Sequence, residues 1–271
     1  MYLNCHSYYS LRYGTFSEND LITLAQTNGV THLGLTDINC TSAVLSFIKN
    51  AQIANLNYLV GIDVRNGNKP MYLLLAKTND GFCNINTFLS QHLHAKIDFP
   101  VKAPDLQDVI VVYSFDTILE YEFLDFNENE FIGISVANIN KLKFSKYKDF
   151  TDKLIVQQPV TFRNQTDFNA HRLLRSIDLN CLLSKLPLPE QGTMYDKMYS
   201  QVFLENAFAD FTSILENTKQ VFDSCNVHFT FDDERQNQNK LVYSDSQDAD
   251  FELLKKLCYD NVHRRYKVLN S

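Results

Sequence analysis

The chain has 271 residues and a formal net charge of -7 at pH 7, and its 45% apolar residues include 20 Phe and 14 Tyr. Such a composition supplies a large core and excludes a disordered chain, while an overall field that repels phosphate excludes a free-standing nucleic-acid binder held by net charge. The six cysteines (Cys5, Cys40, Cys83, Cys181, Cys225, Cys258) stand singly, which excludes a Cys-x-x-Cys zinc clip or redox dithiol and reads as buried thiols of a reducing compartment.

In chain order, Met1 to Cys5 reads as a strand. Ser17 and Asp20 then form a capping-box start for a helix through Leu21, Ile22, Leu24 and Ala25 that Gly29 ends. Val30 to Leu35 is the next strand. Thr41 or Ser42 caps a helix carrying Val44, Phe47, Ile48, Ala51 and Ala54 at helical spacing, and Tyr58 to Val64 returns as a strand. Met71 to Ala76 is a strand, Phe82 to Leu93 a helix, and Val109 to Tyr113 and Phe131 to Val136 are further strands. Leu154 to Phe162 holds one more, interrupted at Pro159.

A helix from Asp167 to Leu183 carries an apolar stripe of Phe168, Leu173, Leu174, Ile177, Cys181 and Leu182, expected to face the core. Pro187 and Pro189 close it. A single helix is expected from Gln201 to Cys225, a polar loop from Asp232 to Lys240, and a last helix from Asp248 to about Tyr266. The rhythm predicts an α/β fold with a mostly parallel sheet over residues 1–190 and a helical extension over 191–271. The lysine run from Lys141 to Lys153 and the cluster His263, Arg264, Arg265 and Lys267 read as solvated faces. No stretch reaches the length of a membrane span and no signal pattern opens the chain, so the expected location is cytoplasmic.

In parallel β/α folds, chemistry collects where strands end. His6, Asp37 and Asp63 fall there, and an imidazole with two carboxylates is a donor set for zinc, manganese or iron. The competing reading makes Asp37 a turn-former or helix cap before Ile38 and Asn39. His92 and His94 are expected at the surface, and His171 in a packing or ion-pair role. No phosphate loop or nucleophile elbow is present.

The segment Leu3-Asn4-Cys5-His6-Ser7, continuing through Ser10-Leu11 to Gly14, resembles the opening His-x-His motif of PHP domains (polymerase and histidinol phosphatase) in bacterial DNA polymerase III alpha subunits. Asn4 stands where the first His would be. Leu35-Thr36-Asp37-Ile38 resembles the family's Leu-Thr-Asp-His, with Ile38 at a ligand position. Gly61-Ile62-Asp63 resembles Gly-x-Glu, and Leu74-Leu75-Ala76-Lys77 with Gly81, Phe82 and Asn84 is similar to a further family segment. The Asn-x-His and Thr-Asp-Ile-Asn variants are similar to Bacteroidetes members.

The resemblance implies a PHP-type distorted (β/α)7 barrel with a C-terminal helical appendage. It also implies a nine-ligand trinuclear metal centre whose closing Asp-x-His is expected near Phe162-Arg163-Asn164, where neither residue occurs. His6, Asp37 and Asp63 are thus residual metal positions, for at most one weakly held divalent ion (zinc, manganese or magnesium), and no catalytic residue is expected. The implied role is a catalytically silent scaffold within a DNA-directed DNA polymerase. Its implied partners are the rest of the alpha subunit and a proofreading exonuclease, with DNA reached only through the intact polymerase. The alternative is a metal-dependent phosphoesterase or 3′-5′ exonuclease with a remodelled site.

Overall fold

The structure, a computed structural model, describes residues 1–231 and 242–266. The expected loop from Asp232 to Lys240 lies outside them, as does Lys267. The chain divides into two compact units, Met1–Phe229 and Thr230–Ser271.

The first unit opens with β1 (Asn4–Cys5), α1 (Glu18–Thr27), β2 (His32–Ile38), α2 (Val44–Ile53), β3 (Asn57–Asn66), β4 (Lys69–Ala76) and α3 (Asn79–Ala95). It continues with β5 (Val109–Ser114), α4 (Phe115–Tyr121), β6 (Glu130–Ile134), α5 (Ile139–Lys143), β7 (Leu154–Val156), β8 (Pro159–Val160) and α6 (Gln165–Asp178), and ends with α7 (Gln201–Ala207) and α8 (Thr212–Ser224). The capping box forms as expected: Ser17 Oγ accepts from the Asp20 N–H, and Asp20 Oδ2 accepts from the Ser17 N–H. Neither Thr41 nor Ser42 caps α2, whose N-cap is Ala43 with no side-chain bond; Thr41 instead donates to Asn86.

Six strands pair in the order β2-β3-β4-β5-β6-β7, and β1 pairs with β8. A bridge from Tyr2 to Leu33 ties the start of β1 to β2, and only Gln157 and Gln158 separate β7 from β8. The interruption at Pro159 is therefore a bend in one path, and seven strand positions curl into the wall of a distorted (β/α) barrel. All pairings are parallel except those of β4, which runs antiparallel to β3 and β5. The cause is local: β3 and β4 form a hairpin whose turn uses Gly67 at φ +60, leaving no room for a crossover helix.

Alternate residues along the strands face opposite sides. One side packs against the helices. The other gathers Leu3, Leu59, Leu73, Leu75, Ile110, Val112 and Ile155 into a second cluster completed by Val221 and Phe222 of α8. These strand residues lie toward the starts of the parallel strands, so α8 plugs that end of the barrel, anchored by Thr218 Oγ1, which accepts from the Val156 N–H at 2.8 Å.

The helix expected from Gln201 to Cys225 is broken into α7 and α8 by a turn at Ala209–Phe211. Phe208 and Ile214 are both fully buried, and the turn lets both helices deliver apolar side chains to the core. Helix α6 ends earlier than expected, at Asp178, and its apolar stripe does not face the core: Asp167, His171, Arg175 and Ser176 are buried, whereas Leu173 and Ile177 are exposed. The second unit contains α9 (Gln247–Arg265), capped by Ser246, with no buried residue. No helix among the described residues is long and apolar enough to cross a membrane.

Candidate functional site

The rim opposite the α8 plug carries the polar side chains. His6 follows β1, held by its N–H to the Val160 carbonyl at 2.9 Å. Its ring lies between Thr161 Oγ1, 3.0 Å from Nδ1, and Asp63 Oδ2, 3.0 Å from Nε2. Asp63 sits on β3, and Arg65, two residues on, donates to the same Oδ2 from Nε at 2.9 Å and Nη2 at 2.6 Å. Burial alone would raise the Asp63 pKa, but Arg65 and His6 outweigh it and hold the carboxyl below its usual range.

Tyr13 fills the space above this pair. The Arg65 guanidinium lies 4.6 Å from its ring centroid, the rings of His6 and His171 meet it edge-on at 5.7 and 4.6 Å, and Arg175 approaches at 5.8 Å. Helix α6 presents its polar face here because the rim, not the apolar core, lies beneath it. His171 Nδ1 donates to the Tyr13 carbonyl at 2.7 Å and its Nε2 accepts from the Gly192 N–H at 2.9 Å. This pairing fixes the neutral tautomer, and burial is the main reason the His171 pKa is lowered to about 4.

Of the three expected ligands, His6 and Asp63 come together. Asp37 is turned elsewhere: it accepts from the Ser7 N–H, the Ser7 hydroxyl and the Ser10 hydroxyl, each at 2.7 Å, and so clasps the loop after β1. Burial pushes its pKa up against those hydrogen bonds. Next to the expected closing triplet, Thr161 is the residue that reaches His6, while Phe162 is buried against Phe168 and His171. Arg65 was legible in principle, since residues two apart on a strand share a face; Tyr13 and Thr161 carried no sequence signal. His92 departs from surface exposure by stacking on Phe99 at 4.9 Å, while His94 is exposed.

The sequence signature of the PHP domain matches residues 3–155. The chain belongs to the PHP domain family. The PHP chain is 24% identical to DNA polymerase III subunit alpha of Ureaplasma parvum, over 97% of this chain and 24% of that protein. It is 26% identical to the same subunit of Pasteurella multocida, over 84% of this chain and 23% of that protein. It thus spans about a quarter of the length of the curated relatives it matches. A solved amidohydrolase from Chromobacterium violaceum is 13% identical, with a TM-score of 0.36 over 55% of this chain and 81% of that one.

The metal cluster that PHP membership implies does not fit these residues. Among the described residues, no three His, Cys, Asp or Glu side chains gather closely enough to hold an ion. The carboxylate oxygen nearest His6 already carries two guanidinium N–H groups, so the negative charge it could offer an ion is committed to Arg65. Multi-metal hydrolysis needs ions a few Å apart, each with several anionic or imidazole donors.

Proposed function

We propose that this PHP domain is part of a replicative DNA polymerase III alpha subunit and acts there as a structural module without hydrolytic chemistry of its own. The observation that carries the reading is the Arg65–Asp63–His6 chain beneath Tyr13, an arrangement in which a guanidinium takes the charge-balancing place of metal ions. The similarity to alpha subunits along nearly all of the chain supports the parent protein and hence a role in DNA replication. In this reading the partners are the remainder of the alpha subunit and a proofreading exonuclease, DNA is engaged through the assembled polymerase, and the site of action is the cytoplasm.

The experiment is metal analysis of the purified chain, followed by hydrolysis assays on nitrophenyl phosphate and 3′-ended DNA with added manganese or zinc. The expected result is no stoichiometric metal and no turnover. Hydrolysis that disappears in His6→Ala would overturn the reading in favour of a remodelled phosphoesterase or exonuclease.

A further inference from the structure

The rim encloses a cavity of about 390 Å³, within the range of roughly 300–1,000 Å³ found for small-molecule sites. Of the five amide side chains that line it, three are buried: Asn4 on β1, Asn138 just after β6 and Gln157 just after β7. All three are more than nine-tenths buried, with 5%, 8% and 8% of their surface exposed. The side chains of Asn138 and Gln157 make no hydrogen bond to any described residue, and that of Asn4 meets only the Thr36 hydroxyl, at 3.2 Å from Oδ1. The fully enclosed side-chain polar atoms without a partner among the described residues are Glu18 Oε2 and Tyr72 Oη, so these amides open onto the cavity, where water or a ligand completes them.

The backbone is shaped to hold one of these amides. A Cβ added to Gly133 would sit 2.0 Å from Gln157 Oε1, so only glycine on β6 lets the Gln157 side chain lie across that strand. Charge narrows the class of ligand. The cationic side chains lining the cavity are already committed: Arg65 to Asp63 and Asn68, and Lys69 to Glu120 and Tyr121. Of the lining carboxylates, Asp63, Glu120 and Asp116 are balanced by Arg65, Lys69 and Lys141, and Asp196 accepts from the Thr193 N–H and hydroxyl. A phosphate entering here would lose its hydration and find no free cation.

We propose that this cavity binds a neutral heterocycle of the nucleobase or nucleoside class, read by the amides of Asn4, Asn138 and Gln157. Side-chain amides match such ligands because they offer a donor and an acceptor side by side, complementary to a heterocycle edge that does the same. The site is independent of the polymerase assignment, since the amides and the cavity stand whether or not the domain belongs to a longer subunit.

The test titrates the whole 271-residue chain with adenosine, cytidine, adenosine monophosphate, ribose and inorganic phosphate. Calorimetry would measure affinity, and the side-chain amide resonances would be followed by nuclear magnetic resonance. The expected result is sub-millimolar binding of at least one nucleoside, with shifts at the Asn138 and Gln157 amides, weaker binding of the monophosphate, and no binding of ribose or phosphate. Gln157→Leu and Asn138→Leu should each weaken binding about tenfold, the loss expected from one such hydrogen-bonded group. Should either fail to fold, the nearly isosteric Gln157→Glu, which adds a charge, should produce the same loss. The proposal is overturned if no nucleoside binds, if the monophosphate or phosphate binds more tightly than the nucleoside, or if folded Gln157 variants bind unchanged.

Discussion

Asp63 Oδ2 faces three donors at once, the Nε and Nη2 of Arg65 and the Nε2 side of His6, in a site where Asp63 and Arg65 are both nearly inaccessible. Removing one partner of a buried pair leaves an uncompensated charge, so Arg65→Ala should destabilise the domain by about 3–5 kcal/mol in urea unfolding, while the apolar double replacement Arg65→Met with Asp63→Leu should recover most of that loss. An unchanged midpoint in the single variant would show that the pair is not buried as described. His171 supplies a second expectation. Its folded pKa is lowered to about 4 from the ordinary 6.5, so between those values the unfolded chain holds more protons and stability rises with pH. The contribution, on the order of 3 kcal/mol, is fully present above pH 6.5 and is lost as pH falls toward 4. Unfolding measured at pH 5 and pH 7.5 should show about 2 kcal/mol of this loss, and His171→Gln should flatten it. At this scale the sequence disclosed positions better than partners. His6 was legible because it follows a strand and Asp63 because it lies in the C-terminal half of one, although β3 runs on to Asn66; the guanidinium on Asp63 depends on strand alternation, and Tyr13 reaches the rim from a loop with no periodic pattern.

Helix α6 shows why element-level reading succeeded in kind and failed in orientation. Its existence followed from the residues, and Asn164 caps it by accepting from the Thr166 and Asp167 N–H groups. The stripe assumed to face inward does not, because a helix over a polar rim buries whatever completes that rim: His171 against Tyr13, and Arg175 against the Glu190 carbonyl at 2.8 Å and the Asp178 carboxylate at 2.7 Å. Periodicity marks an apolar face but cannot say which face meets the body of the protein. Leu173→Glu and Ile177→Lys should therefore change stability by no more than about 0.5 kcal/mol, as exposed substitutions do, and Arg175→Ala, which removes a buried cation from its partners, should cost several times that. Denaturation curves of the three variants decide the matter, and a large loss for the leucine or isoleucine variant would restore the inward orientation. The strands were easier to read, since their apolar runs are bounded by turn residues. The antiparallel course of β4 was not apparent, because a strand's residues look alike in either direction and only the tight Asn66–Lys69 turn fixes the choice.

For the whole molecule, the position of α8 decides what can fold alone. A barrel ending at residue 190 would keep every strand, yet it would lack Val221 and Phe222, which complete the inner cluster formed by Leu59, Leu75 and Ile110. Each fully buried side chain of this kind contributes roughly 1.5–3 kcal/mol, and the plug also supplies the Thr218 hydroxyl that accepts from the Val156 N–H. Against the total of about 5–15 kcal/mol typical of a domain, losing the whole of α8 removes most of the margin. A chain cut after residue 190 should therefore bind hydrophobic dyes and lose a cooperative transition, whereas one cut after Phe229 should unfold cooperatively, with a midpoint within a few degrees of the full chain, because α9 buries no residue. Within the longer cut, Phe222→Ala should cost about 3–5 kcal/mol. Thermal unfolding of the two truncations side by side is the measurement. A cooperative 1–190 fragment would mean that the strands close their own core and that α8 is an accessory, while a disordered 1–229 fragment would assign the last helix a structural part that its exposed surface does not suggest.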